Sequence, residues 1–196
     1  DTTWSRGLGD VYKRQSSLLV NKIAILLTSN EEGESSDGFI DVLLDKLIQR
    51  GEKIDYCLVG EPSSSEKVGD TIRIGRRGSL SGKLKVIGKQ GHIAYPEKII
   101  NPIFLISDII TELREKKWDA GNDHFQPTSF QISNIKSGTG AGNIVPGELE
   151  MDFNFRFCSE STSESLINEF EKILSSHKVN YKIEWNLSGL PFLTTK

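Results

Sequence analysis

Glu148–Phe157, ELEMDFNFRF, is the stretch on which the fold turns. Leu149, Met151, Phe153, Phe155 and Phe157 take every second position, and Glu150, Asp152, Asn154 and Arg156 the positions between. Successive side chains of a strand point to opposite faces. This alternation therefore predicts a strand with one dry face and one wet face.

Working outward, Ser79–Ile87 shows the same rhythm, with Leu80, Gly82, Leu84 and Val86 set against polar partners. Asn101-Pro102 has the form of an N-cap followed by a proline at the first helical position. It opens a predicted helix with Ile103, Phe104, Ile106, Ile109, Ile110 and Leu113 inward. Ser129–Ile135 reads as a strand. Beyond the opening stretch, Ser161-x-x-Glu164 has the form of a capping box. The helix it opens turns Leu166, Ile167, Phe170, Ile173 and Leu174 inward, and Val179–Trp185 is the last strand. The order β-α-β-β-α-β is the split, ferredoxin-like arrangement.

Upstream the pattern changes. Ile23–Thr28 is a continuous apolar run, as in a strand covered on both faces. Asp37–Arg50 carries Phe39, Ile40, Leu43, Leu44, Leu47 and Ile48 at helical spacing, with Gly51 where a helix-ending glycine belongs. Ile54–Val59 reads as a second strand, so the segment is β-α-β with a right-handed crossover between parallel strands. Two architectures in an α/β chain predict two domains, meeting near Arg76–Gly78.

Bulk properties exclude several classes. The 196 residues are 36% hydrophobic and 26% charged, with a net charge of -3, an ordinary globular balance. No basic stripe favours nucleic acid, and no apolar run approaches the roughly 18–20 residues that span a bilayer. Two cysteines far apart, Cys57 and Cys158, suggest buried thiols in a reduced, cytoplasmic protein. Asp1–Gln15 has neither helical nor strand periodicity and is expected to be a foreign or disordered leader, while Pro191–Lys196 reads as cut within an element.

In open α/β sheets, sites form beyond the carboxyl ends of strands. Glu31 and Glu32 follow one predicted strand end and Glu61 the other. Adjacent acids in a loop are ordinarily just solvated. Here they follow a strand too apolar for the surface, and like charges side by side repel unless a cation is near. Carboxylates gathered at a sheet end suit Zn²⁺, Mn²⁺ or Co²⁺, and neighbouring acids on a turn point in different directions, so one can ligate while the other faces substrate. His177, at a predicted helix end, and His124, in a polar loop, read as surface residues. His92, in GHIAYP, is either a loop histidine bonded to backbone or a functional group. The Gly138–Asn143 cluster lacks the third glycine and following helix of a dinucleotide site. Arg76 and Arg156 have the guanidinium forks that anionic substrates require, although exposed arginines often do nothing specific.

Several blocks taken together, "TSNEEG", "DYCLVGEPSSSEKVGDTIRIGRRGSLSG", "GKQGHIAYP", "INPI", "WDAGNDHFQPTSFQISNI", "GTGAGNIVPGELEMDFNFRF" and "SGLPFLT", are similar to the M20 metallopeptidase family. Within it they resemble the desuccinylases that release succinate from N-succinyl-LL-2,6-diaminopimelate in lysine and diaminopimelate biosynthesis. The resemblance covers roughly residues 22–194. After the leader expected at 1–15, it implies part of a parallel-sheet zinc-hydrolase catalytic domain at 16–77. A ferredoxin-like lid and dimerisation domain would occupy 78–188, with the return to the catalytic domain beginning at 189–196.

The resemblance also implies two Zn²⁺ per complete site, with Co²⁺ or Mn²⁺ as substitutes. Glu32 and Glu61 would be ligands and Glu31 the general base. His92 would steady the oxyanion across a homodimer, and Arg76, Tyr95, Asn143 and Arg156 would line the carboxylates of a small dicarboxylate amino-acid substrate. Gly142 departs from the threonine more usual there. A further histidine and bridging aspartate from an earlier segment, and a histidine nearer the C-terminus, cannot be placed. The chain is thus expected to be the middle half of such an enzyme, inactive or nearly so alone. A related M20 deacylase, acting on acetylornithine or as a carboxypeptidase, and a non-catalytic dimerisation module remain alternatives.

Overall fold

The computed structural model describes Ile25, residues 39–60 and residues 62–194. The chain divides into two compact units, Asp1–Glu61 and Pro62–Lys196.

In the first unit, helix α1 (Phe39–Gln49) forms where the apolar spacing places it. It closes at Gly51, whose N–H donates to the Ile48 carbonyl at 2.9 Å while Glu52 N–H donates to Leu47 at 3.1 Å. The expected first strand, apart from Ile25, lies outside the described residues. Ile54–Val59, expected as the second strand, joins no ladder among the described residues, and Tyr56 and Leu58 stand 93% and 89% exposed. A strand is stabilised by its neighbour's backbone groups, and the neighbour predicted for this one is at 23–28. Cys57 is exposed, against expectation, whereas Cys158 is buried.

The second unit carries the strands β1 (Gly75–Arg76), β2 (Gly78–Ile87), β3 (Gly91–His92), β4 (Ser129–Ser137), β5 (Ile144–Val145), β6 (Glu148–Phe157), β7 (Asn180–Gly189) and β8 (Phe192–Leu193). Helices α2 (Pro102–Glu115) and α3 (Ser163–Ser176) complete it. Four strands form one sheet in the order β4-β6-β2-β7, antiparallel at each pairing. This is the order of the split β-α-β fold: each helix connects two parallel strands that have a third between them. β6 occupies the ten residues predicted for it.

The alternating pattern becomes a two-layer core. Leu80, Leu84 and Val86 of β2 and the five apolar residues of β6 are buried with Ile106, Ile109 and Leu113 of α2 and Leu166, Phe170, Ile173 and Leu174 of α3. Phe153 opposes Gly82 on β2, and Gly82 opposes Trp185 on β7. With no side chain at Gly82, the Phe153 ring lies over it, and an added Cβ would collide with that ring. Phe153 thus reaches across an intervening strand to Trp185, ring centres 5.4 Å apart, and stacks on Phe170 at 4.6 Å. The opposite face is polar: Asn154 Nδ2 donates to Ser79 and Ser81 hydroxyls at 3.1 and 2.9 Å, and Lys85 bridges Glu148 and Glu150 at 3.3 and 2.8 Å.

Two local expectations shift. Asn101 caps α2 as predicted, its Oδ1 accepting from Ile103 N–H at 3.0 Å, but Ile103 and Phe104 point outward, 44% and 74% exposed. The buried stripe runs Pro102, Ile106, Ile109, Leu113, one step around the helix from those two. The cap of α3 is Thr162, whose Oγ1 accepts from Ser165 N–H at 3.0 Å while Ser165 Oγ accepts from Thr162 N–H at 3.1 Å. Ser161 is otherwise engaged, donating to Asp119 Oδ2 at 2.6 Å. Partial burial pushes the Asp119 carboxyl up, but the hydrogen bonds from Ser161, Thr128 and Gly121 outweigh it and bring it down to about 2. Asp119 thereby anchors the 119–128 loop to the start of α3. Replacing an N-cap threonine by alanine costs about 1 kcal/mol, so Thr162→Ala is expected to lower the unfolding free energy by that amount, read as a lower urea midpoint with an unchanged slope.

Candidate functional site

The three carboxylates singled out in the sequence, Glu31, Glu32 and Glu61, lie outside the described residues. The other five candidates belong to the second unit, which separates them into two groups.

His92, Tyr95 and Asn143 come together. The short ribbon β3–β5 pairs His92 with Ile144, and Ile93 N–H donates to the Asn143 carbonyl at 3.1 Å. These backbone ties bring the Asn143 side chain to 3.5 Å from His92 Nε2. His92 Nδ1 accepts from the Ala94 backbone N–H at 3.1 Å. The Tyr95 ring is 5.9 Å from the imidazole, and Lys98, across the 3-10 turn Pro96–Lys98, sets its ammonium 4.9 Å from the Tyr95 ring centre. Lys98 was not among the sequence candidates; its signal is the three-residue spacing from Tyr95 after a proline. His92, Tyr95 and Asn143 are exposed, as groups that meet a ligand must be.

Arg76 and Arg156 sit at the other end of the sheet. Arg156 pairs with Ser79 at the start of β2. The Arg76 guanidinium lies against Gly189, which pairs with the same Ser79 from β7. His92 lies beyond the far end of β2, past Ile87, which pairs with Glu148. The eight steps from Ser79 to Ile87 span about 27 Å at strand rise. Among the described residues neither Arg76 nor Arg156 has an ion-pair partner. Arg77 next door is occupied, donating to the Pro127 carbonyl at 3.2 Å. The β1–β8 ribbon ties the segment entering the sheet to the one leaving it, with Arg76 opposite Phe192.

The family model of the peptidase dimerisation domain matches residues 74–182, more than half of the chain. The fold agrees with an M20 family metallo-carboxypeptidase from Sulfolobus solfataricus, with a TM-score of 0.53, 14% identity, and coverage of 61% of this chain and 45% of that one. A tripeptidase from Staphylococcus aureus gives a TM-score of 0.50 at 19% identity, covering 62% of this chain and 32% of that one. The chain belongs to the M20 peptidase family, through its dimerisation domain. Among curated relatives, the succinyl-diaminopimelate desuccinylase of Hydrogenovibrio crunogenus is 56% identical over 172 residues, 88% of this chain and 45% of the relative. That of Polaromonas naphthalenivorans is 56% identical over 173 residues, 88% of this chain and 42% of the relative. The chain spans rather less than half the length of these relatives.

Among the described residues no three His, Cys, Asp or Glu side chains gather into a metal cage, and no helix is long and apolar enough to cross a membrane. The donor chemistry of Glu32 and Glu61, carboxylate oxygen, fits Zn²⁺, Mn²⁺ or Co²⁺. Two carboxylates are fewer than the four ligands that zinc takes.

Proposed function

We propose that the protein containing this chain is a metal-dependent amide hydrolase that removes succinate from N-succinyl-LL-2,6-diaminopimelate in the cytoplasm. It works as a homodimer joined through residues 78–188, with domain limits at 16–77, 78–188 and 189–196. The observation that carries this reading is the segregation of the site residues. Arginine forks suited to carboxylates stand about 27 Å by strand rise from the His92–Asn143 group. The two groups can serve one substrate if two copies of the chain exchange ends. An isologous interface produces that exchange twice. Edge strand β4 and the outward Phe104 and Ile103 of α2 offer surface for it. The 56% identity to two desuccinylases supports the choice of acyl group.

In this mechanism Glu32 and Glu61 hold metal, and Glu31 takes a proton from the attacking water and later delivers it to the leaving amine. Zn²⁺ at the site, when bound, supplies Lewis acidity and lowers the water's pKa. His92, from the second copy, donates a hydrogen bond to the oxyanion that develops on the amide carbonyl. Arg76 and Arg156 fix the substrate's carboxylates as bidentate forks, with Tyr95 and Asn143 at the rim.

A substrate panel tests the reading, using the longer protein that contains residues 22–194. The succinylated diaminopimelate is expected to be cleaved, and cleavage to stop on chelation and return with Zn²⁺. Preference for acetylornithine or a peptide would make it a related M20 deacylase. A clean dimer that takes up no zinc and cleaves none of them would make it a dimerisation module.

A further inference from the structure

Two contacts at His92 decide where its proton lies. A backbone N–H can only donate, so Nδ1, which meets the Ala94 N–H at 3.1 Å, must offer a lone pair. A neutral imidazole carries one proton, and it is therefore on Nε2. The atom placed 3.5 Å from Nε2 is Asn143 Nδ2, and an amide's oxygen and nitrogen are distinguished only by their partners. An amide nitrogen facing an N–H would set donor against donor, a clash relieved by a half-turn of the amide that brings Oδ1 to Nε2.

From this we infer that Asn143 is a positioning residue for His92: its side-chain oxygen, acting with the Ala94 N–H, holds the ring in the Nε2–H tautomer and keeps that proton aimed outward. The two locks act on opposite nitrogens and favour the same tautomer. Their geometry comes from the chain. β3 pairs with β5, and Ile93 N–H bonds the Asn143 carbonyl, so the backbones that carry ring and amide are tied to one another. His92 itself is exposed, as are the glycine-rich residues 138–142 preceding Asn143, so an incoming group can reach the ring. An oxyanion arriving there accepts the proton that Asn143 accepts in its absence. That consequence for catalysis rests on the role proposed above for His92; the tautomer does not.

The test is a long-range ¹H–¹⁵N spectrum of the histidine rings in the 196-residue chain, at a pH where imidazole is neutral, with His92→Gln assigning its resonances. The wild type is expected to show a protonated Nε2 and an unprotonated Nδ1. Asn143→Ala is expected to move the two nitrogen shifts toward each other as the second tautomer is admitted. Asn143→Asp keeps an acceptor oxygen and is expected to hold them near their wild-type positions. Asn143 is exposed, and an unchanged backbone amide spectrum verifies the fold of each variant. A protonated Nδ1 in the wild type, or shifts that do not move in Asn143→Ala, would overturn the inference. No turnover is required, so failure of the proposed oxyanion role would leave this result standing, and the reverse holds too.

Discussion

Phe153→Ala is expected to lower the unfolding free energy of the chain by about 3–5 kcal/mol, a large part of the 5–15 kcal/mol typical of a folded domain. Phe153 is 2% exposed and belongs to an aromatic group spread over three strands and a helix. It stacks on Phe170 at 4.6 Å and meets Trp185 edge-on at 5.4 Å, Phe130 at 5.4 Å and Phe155 at 6.0 Å. Truncation removes apolar burial and leaves a cavity above Gly82 that a neighbouring backbone without a side chain cannot refill. Urea unfolding should show a lower midpoint with the slope preserved. A loss below about 1 kcal/mol, within the range of surface substitutions, would mean the ring is not packed as described.

The second large effect concerns chemistry. In the longer protein containing residues 22–194, Glu31→Gln is expected to reduce kcat by about 10²–10⁴, the range for a positioned general acid–base group, with little change in KM. Glutamine preserves size and hydrogen bonding but cannot take a proton from water. Near-wild-type hydrolysis of the succinyl amide would remove Glu31 from that role. A rise in KM with unchanged kcat would instead assign it to uniform binding.

The ferredoxin-like sheet was legible because its pattern is redundant. ELEMDFNFRF specifies a strand by alternation, the residues on either side specify two helices and three more strands, and the split topology pairs them in one order. Gly82 was part of the predicted inward row of β2, but its purpose was not visible, because Phe153 meets it only once two strands are in register. The α2 stripe was misread at Ile103 and Phe104 since apolar residues at adjacent helical positions cannot all face one direction. Ser161 matched a capping-box pattern that Thr162 fulfils, because a hydrogen bond to Asp119, forty-two residues away in the chain, claimed the first serine.

The candidate site was legible in parts. His92 stands out within GHIAYP, Tyr95 and Asn143 come from the family resemblance, and the β3–β5 ribbon brings the three together. Their separation from Arg76 and Arg156 is a property of strand length and register, to which short motifs are blind. The Ala94 N–H that fixes His92 is a backbone group and has no signature in the sequence at all.

The central claim is that one active site takes its base from one copy of the chain and His92 from another. It is tested most directly by mixing two inactive variants of the longer protein, Glu31→Gln and His92→Ala, under conditions that exchange subunits. A mixed dimer then holds one site with both residues intact and one with neither. With random exchange, half the dimers are mixed and half their sites are competent, so about one quarter of wild-type activity is expected from a symmetric dimer. If the two residues acted within one copy, no mixed site would hold both, and activity remaining at the level of the separate variants would contradict the account.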